Sequence, residues 1–369
     1  MRVAFAAALL LLTMLAGCAD DKDDGAGSQD DPCTLEPVLC DPDSYLANHH
    51  CIANDIRPRI YAPDTPGPDS EADPWQAGDA WTYRVRSGDR DYSSTLVYYE
   101  DIDYSNGQPQ HYLVGSSSRD EAFDHALFSI NPMLGRIHRT LYSPHESGLH
   151  ADMFNFPLCE GATWVTAFYD ATFDLTAHQT PLTLPDGTQD PLAFTMDGTS
   201  PDGSRLTHTY SPAAKWFTKI DLQRADGLRV QMDLTAIAHG KTGEQYFLRG
   251  QQDERLDVSL IDRSITVPRA DGGEGPYDSI GVWMDVQRSA GTGRLEVHLR
   301  DSGGVSRACV GFAGGLLGTT TCPADPLKAE VGYAAGDWTV TVEVQPGDLQ
   351  TKASGTVQLV SIYDRSGTV

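Results

Sequence analysis

From Trp75 to the last residue the chain alternates apolar and polar side chains in short runs, and that alternation constrains the fold more than any other feature. Trp81, Tyr83 and Val85 share one face, while Thr82, Arg84 and Arg86 share the other. Leu228, Val230, Met232 and Leu234 alternate with Arg229, Gln231 and Asp233 in the same way. Leu295, Val297 and Leu299 alternate with Glu296, His298 and Arg300, and Trp338, Val340, Val342 and Val344 form a further run. A period of two belongs to strands with one buried face. The runs are separated by turn signals: Pro185-Asp186-Gly187, Pro201-Asp202-Gly203, and Asp226-Gly227, which predicts a two-residue hairpin. Only "SRDEAFDHAL" reads as a helix, with Ser118 and Glu121 spaced as a capping box. The expected fold is mainly β, with a curved antiparallel sheet or half-barrel over 75–243 and a β-sandwich over 244–369.

The N-terminus has a different character. Met1 and Arg2 precede an apolar stretch from Val3 to Leu15, the shape of a secretory signal peptide. The stretch is too short for a transmembrane helix, which needs about 20 residues. Its exit, Leu15-Ala16-Gly17-Cys18, resembles the lipobox of bacterial and some archaeal lipoproteins. That resemblance implies cleavage after residue 17, a diacylglyceryl thioether on Cys18, export, and attachment to a membrane through the lipid. Residues 19–32 are Asp, Gly and Ser with almost nothing apolar, which predicts a flexible tether. A cysteine-bearing stretch follows, then a Pro-rich linker from Tyr61 to Pro74, so 18–74 forms one acidic, lipidated segment.

Seven cysteines make an odd set, and setting Cys18 aside leaves Cys33, Cys40, Cys51, Cys159, Cys309 and Cys322. Export places these six in an oxidising compartment where disulfides persist. Cys309 and Cys322 flank a Gly-rich turn and are expected to pair locally, while Cys33, Cys40 and Cys51 would be tied to one another and to Cys159. There is no CxxC pair of the kind a zinc ribbon needs.

The formal net charge is −25, and residues 18–74 hold 14 acids against Lys22, Arg57 and Arg59. Such acidity argues against nucleic acid as a partner, because a polyanion would be repelled. Within the β region, "AGDWTVTVEV" (335–344) and "GRLEVHLRDSGG" (293–304) resemble the jelly-roll-like pre-peptidase C-terminal domains of secreted prokaryotic proteins. This implies a non-catalytic accessory sandwich. "AGDAWTYRV" (77–85) with "HTYSPAAKWFTKID" (208–221) is similar to an uncharacterised exported group with a G-x-x-W-x-Y strand, which has no established chemistry.

Sequence motifs for chemistry are near misses. "HESGLH" (145–150) spaces its histidines one residue too widely for a zinc-protease helix, and "DDKDDG" (20–25) has Lys22 where a calcium loop needs a ligand. G-x-S-x-G, P-loop and dinucleotide signatures are missing from the sequence. No catalytic residue, metal ligand or cofactor is expected, apart from a candidate structural calcium site near Asp271, Glu274 and Asp278. Five of eleven histidines nevertheless crowd into one segment: His111, His125, His138, His145 and His150. Convergence of two or more with a carboxylate would favour metal binding. The expected function is a lipid-anchored surface protein that binds an extracellular or envelope ligand. The alternatives are a lipidated hydrolase or metal-dependent enzyme, and a carrier of apolar ligands in the concave sheet.

Overall fold

The fold comes from a computed structural model. It describes the strand pair Ser44–Ala47 and His50–Ala53, and residues 75–369 other than 106, 140, 147–148, 151, 157, 170, 258–262, 268–275, 315–318, 324–326 and 345–349. Cys18, Cys33, Cys40, the signal segment and the linker lie outside the described residues, as does the side chain of Cys51.

Ten strands build one antiparallel sheet: β1 (Ala80–Ser87), β2 (Arg90–Ser105), β3 (Gln108–Ser116), β4 (Gly135–His138), β5 (Thr163–Phe168), β6 (Ala171–Gln179), β7 (Phe194–Thr199), β8 (Arg205–Ser211), β9 (Trp216–Gln223) and β10 (Arg229–Ala238). The order is β4-β3-β2-β1-β10-β9-β8-β7-β6-β5, so two runs of consecutive strands meet where β10 pairs with β1. Most of the alternating residues read from sequence sit as expected, though Val344 is exposed and Glu296 is buried. Trp81, Tyr83 and Val85 are buried with Val230 and Met232, and Arg84 is exposed.

The curvature follows from distances inside the sheet. Tyr112 on β3 and Trp216 on β9 lie four strand spacings apart, roughly 19 Å on a flat sheet. Both nevertheless pack against one ring, Trp75, Tyr112 stacked on it at 4.6 Å and Trp216 edge-on at 4.7 Å between centroids. The concave face is filled by the chain itself: Tyr142, Met153, Phe154, Phe156 and Leu158 are buried against the sheet residues.

Hairpin chemistry differs from the two-residue turn expected at Asp226-Gly227. The loop holds three residues, Ala225 to Gly227, closed by a hydrogen bond from Arg224 N to Leu228 O of 2.8 Å. The aspartate carboxylate accepts from Leu228 N, and Gly227 takes φ 93°, the left-handed step that suits glycine. The same device recurs at Pro185-Asp186-Gly187 and Pro201-Asp202-Gly203, where Thr188 N and Ser204 N donate to the aspartates.

The helix α1 (Arg119–Phe128) forms where expected, and Ser118 Oγ accepts from Glu121 N. The return half of the capping box runs through an intermediary. Ser118 N donates to Ser116 Oγ at 2.9 Å, and that hydroxyl donates to the Glu121 carboxylate at 2.7 Å.

Eight more strands form a sandwich: β11 (Leu248–Asp257), β12 (Arg263–Val267), β13 (Ser279–Ala290), β14 (Leu295–Arg300), β15 (Ser306–Phe312), β16 (Leu327–Gly332), β17 (Gly336–Val344) and β18 (Lys352–Asp364). Its sheets are β11-β18-β13-β16 and β12-β17-β14-β15, closed on a core that includes Trp338, Val297, Val282 and Leu359. β18 is apolar on both faces for a physical reason. Val357 and Leu359 enter the sandwich core, while Val360 and Ile362 join the core of the first sheet.

α1 lies directly on that outer face. A Cβ at Gly250 would fall 2.1 Å from the Ala126 carbonyl oxygen, and one at Gly281 would meet Leu127 and Phe123. Arg119–Glu330 (2.7 Å) and Lys328–Asp124 (2.6 Å) pin the helix at the sides.

Candidate functional site

Three of the places among the described residues that gather polar groups are candidates for a site. The first is a cleft of about 510 Å³ between the start of β2 and the N-terminal turn of α1, lined among others by Arg90, Tyr92, Ser118, Asp120, Glu121 and Asp124. Glu121 is buried, and that burial drives its carboxyl up despite hydrogen bonds from Ser116 and from Asn131 Nδ2 at 3.0 Å. Asp124 is held between Arg90 at 2.9 Å and Lys328. These groups have structural partners: one carboxyl serves the helix cap and the other bridges the two β units.

The second place is the β3–β4 edge of the large sheet. Register sets His111 directly opposite His138. A short ribbon, His145–Glu146 with Leu149–His150, sets His145 opposite His150, and an Ile137–Pro144 bridge lays it beside β4. The His111 ring centroid lies 5.4 Å from that of His138 and 4.6 Å from that of His145. Its Nδ1 is 3.0 Å from Asp103 Oδ2, and its side chain is only 9% exposed. Burial first, then the neighbouring His145, push the His111 imidazole down to about 4. Asp103 sits in the left-handed region at φ 56°, and Arg136 contacts its carboxylate at 3.4 Å. The histidines singled out in the sequence thus converge in part. His125 lies on α1 facing Phe247, and the His150 side chain is outside the described residues.

The third place is the outer face of the sandwich. Glu296, His298 and Glu343 bring their ligand atoms within 4.8 Å of one another, with His298 Nε2 at 3.7 Å from Glu296 and 3.9 Å from Glu343. Arg294 and Arg300 already neutralise the two carboxylates, so this is an ion-pair network more than a cation site. Burial opposes ionisation of Glu296, but hydrogen bonds from Thr320 Oγ1, Arg294 and Thr321 N outweigh it and hold the carboxyl down to about 2.

A depressed carboxyl stabilises the fold above its unfolded value, and that contribution is lost as pH falls through the folded one. Glu296 should therefore contribute fully above about pH 4.5 and nothing below about pH 2. Glu296→Gln is expected to cost roughly 2–3 kcal/mol at pH 7 and to flatten stability between pH 4.5 and 2. Urea denaturation across that window checks it, and an unchanged pH slope would count against the assignment.

Cys309 and Cys322 are joined, with Cα atoms 5.4 Å apart, as their flanking of the Gly-rich turn predicts. Their bonded sulfurs are therefore not thiolates that could join the neighbouring His298 in holding a metal ion. Cys159 is also disulfide-bonded, to a partner not among the described side chains. Of the calcium candidates, Asp271 and Glu274 lie outside the described residues. Asp278 accepts from Asp364 N at 2.8 Å, a structural role at the end of β18.

Sequence reasoning missed Asp103 and the structural weight of Glu296. Asp103 carried no motif, and its place beside His111 depends on the β2–β3 hairpin. Glu296 sits at a polar position of its strand yet is only 2% exposed, where Thr320 and Thr321 reach over to bond its carboxylate.

No known protein family matches the chain, and no curated protein is similar to it in sequence. Among solved structures, one similarity is to a glycoside hydrolase family 43 arabinoxylan arabinofuranohydrolase from Bacillus subtilis in complex with cellotetraose. The identity is 12%, covering 77% of this chain and 66% of that one, with a TM-score of 0.16. A superposition of that quality carries no argument about fold or activity.

Proposed function

We propose that the chain is an exported lipoprotein, held at a membrane through a lipid on Cys18, whose two β units act by binding an extracellular or envelope ligand. The observation that carries this reading is Leu15-Ala16-Gly17-Cys18 after a short apolar run, followed by an acidic, Pro-rich segment up to Trp75. Binding in place of catalysis is supported by where the polar groups are spent. The buried carboxyls of the cleft and of the sandwich face serve a helix cap, ion pairs and a loop. The apolar-carrier alternative draws less support, because the concave face is occupied by Tyr142, Phe154 and Phe156.

Cys18→Ser is expected to move the protein from the detergent phase to the aqueous phase on phase partitioning. Stable attachment needs more than one acyl chain, which the diacylglyceryl group provides. A protein that partitions identically with and without Cys18 would sink the anchor.

A further inference from the structure

β5 ends the ten-stranded sheet, and among the described residues it pairs with β6 alone. Alternate backbone N–H and C=O groups along its outer edge therefore face no strand, and they form a template for another. Among the described residues six strands end the three larger sheets. Five of them carry charged residues that discourage such pairing: Arg136 on β4, Arg255 on β11, Arg263 on β12, Arg307 on β15 and Lys328 on β16. β5, Thr163-Trp164-Val165-Thr166-Ala167-Phe168, has no charge, no proline and no break in its register with β6. That is out of character for a chain of net charge −25. Thr163, Val165 and Ala167 are exposed together on one face, and Val165, at 57%, is more exposed than Val305 or Val344.

The strand is complementary to itself. Turned about a two-fold axis through Val165, an antiparallel copy sets Val165 opposite Val165, Trp164 opposite Thr166, and Thr163 opposite Ala167. Aromatic and β-branched cross-strand pairs of this kind stabilise a ladder. Such an interface is isologous, so each off-axis contact occurs twice. Repulsion does not prevent it. Asp174 lies opposite Val165 on β6. In the pair the two Asp174 residues would stand three strand spacings apart, roughly 14 Å. The Debye length at physiological ionic strength is about 8 Å, so these carboxylates are screened from each other.

We propose that β5 pairs with β5 of a second copy, antiparallel, so that two ten-stranded sheets become one continuous sheet across the dimer axis. A six-residue strand spans about 20 Å, a contact smaller than a standard interface, so the pairing is reversible. It goes beyond the binding reading and stands whether or not Cys18 carries a lipid.

The test uses the full chain in detergent, with single cysteines introduced for crosslinking by a short bismaleimide. Val165→Cys should crosslink copies efficiently. Val305→Cys, almost as exposed but on a sandwich loop, should give only the background of chance encounters. Light scattering should show a dimer that dissociates on dilution and strengthens as salt rises, because net charge is what opposes it. Val165→Lys sets like charges face to face at the axis, and should weaken association at least about tenfold with an unchanged circular dichroism spectrum. Val165→Thr keeps an uncharged β-branched side chain and should leave association within about twofold. A wild-type chain that stays monomeric overturns the proposal, whether or not some other polypeptide pairs with β5. So does equal crosslinking of Val165→Cys and Val305→Cys, or a dimer that Val165→Lys leaves intact.

Discussion

Trp216→Ala is expected to cost the ten-stranded sheet about 3–5 kcal/mol, the range for emptying a large buried aromatic site. Trp216 is fully buried, and its ring meets Trp75, Trp81 and Phe217 at 4.7, 5.0 and 4.8 Å. Its Nε1 donates to the Tyr142 carbonyl at 3.0 Å, so truncation also strands a buried acceptor on the segment that covers the concave face. Trp164 provides the internal control. Gly161-Ala162-Thr163-Trp164 sets a glycine turn before a tryptophan, as Gly78-Asp79-Ala80-Trp81 and Gly336-Asp337-Trp338 do, a pattern that predicts a core residue, yet Trp164 lies half-exposed on the edge strand β5 with Nε1 bonded to the Asp152 carbonyl. Trp164→Ala should therefore cost about 1 kcal/mol or less. Urea titration of both variants separates them, and equal losses would mean the concave core is not organised around Trp216.

Reducing the Cys309–Cys322 bond, or replacing both residues with serine, is expected to cost the sandwich about 3 kcal/mol, the loop-closure value for a ring of this size. The loop carries more than chain entropy. Thr320 and Thr321 reach from it to Glu296, so opening the loop also exposes a carboxylate that they keep ionised and bonded. The double substitution and Glu296→Gln should then be less than additive, since they remove parts of one network. Free thiols at both positions in the untreated protein, or a loss below 1 kcal/mol on reduction, would contradict this.

Much of the fold was legible because strand periodicity and turn residues are local signals. The alternation around Trp81, Val230, Leu295 and Trp338 located strands, and Ser118 with Glu121 located the helix. What the helix packs on was not legible. Gly250 and Gly281 are isolated glycines in strands, a hint of close backbone approach, but nothing local says that α1 is what approaches. The Asp-Gly loops hold three residues because the preceding residue joins the turn, a choice made by strand register across the hairpin. The histidine count was visible, while the convergence of His111 with His138 was not: α1 intervenes between their strands, and only pairing of β3 with β4 sets them face to face.

The central claim, that the β units ride on a lipid-anchored tether, is tested most directly by mass spectrometry of the N-terminal peptide from membrane-extracted protein. The account predicts a mature chain beginning at Cys18, with a diacylglyceryl thioether on its sulfur. A chain that begins elsewhere, or a Cys18 found unmodified or joined to another cysteine, would contradict it.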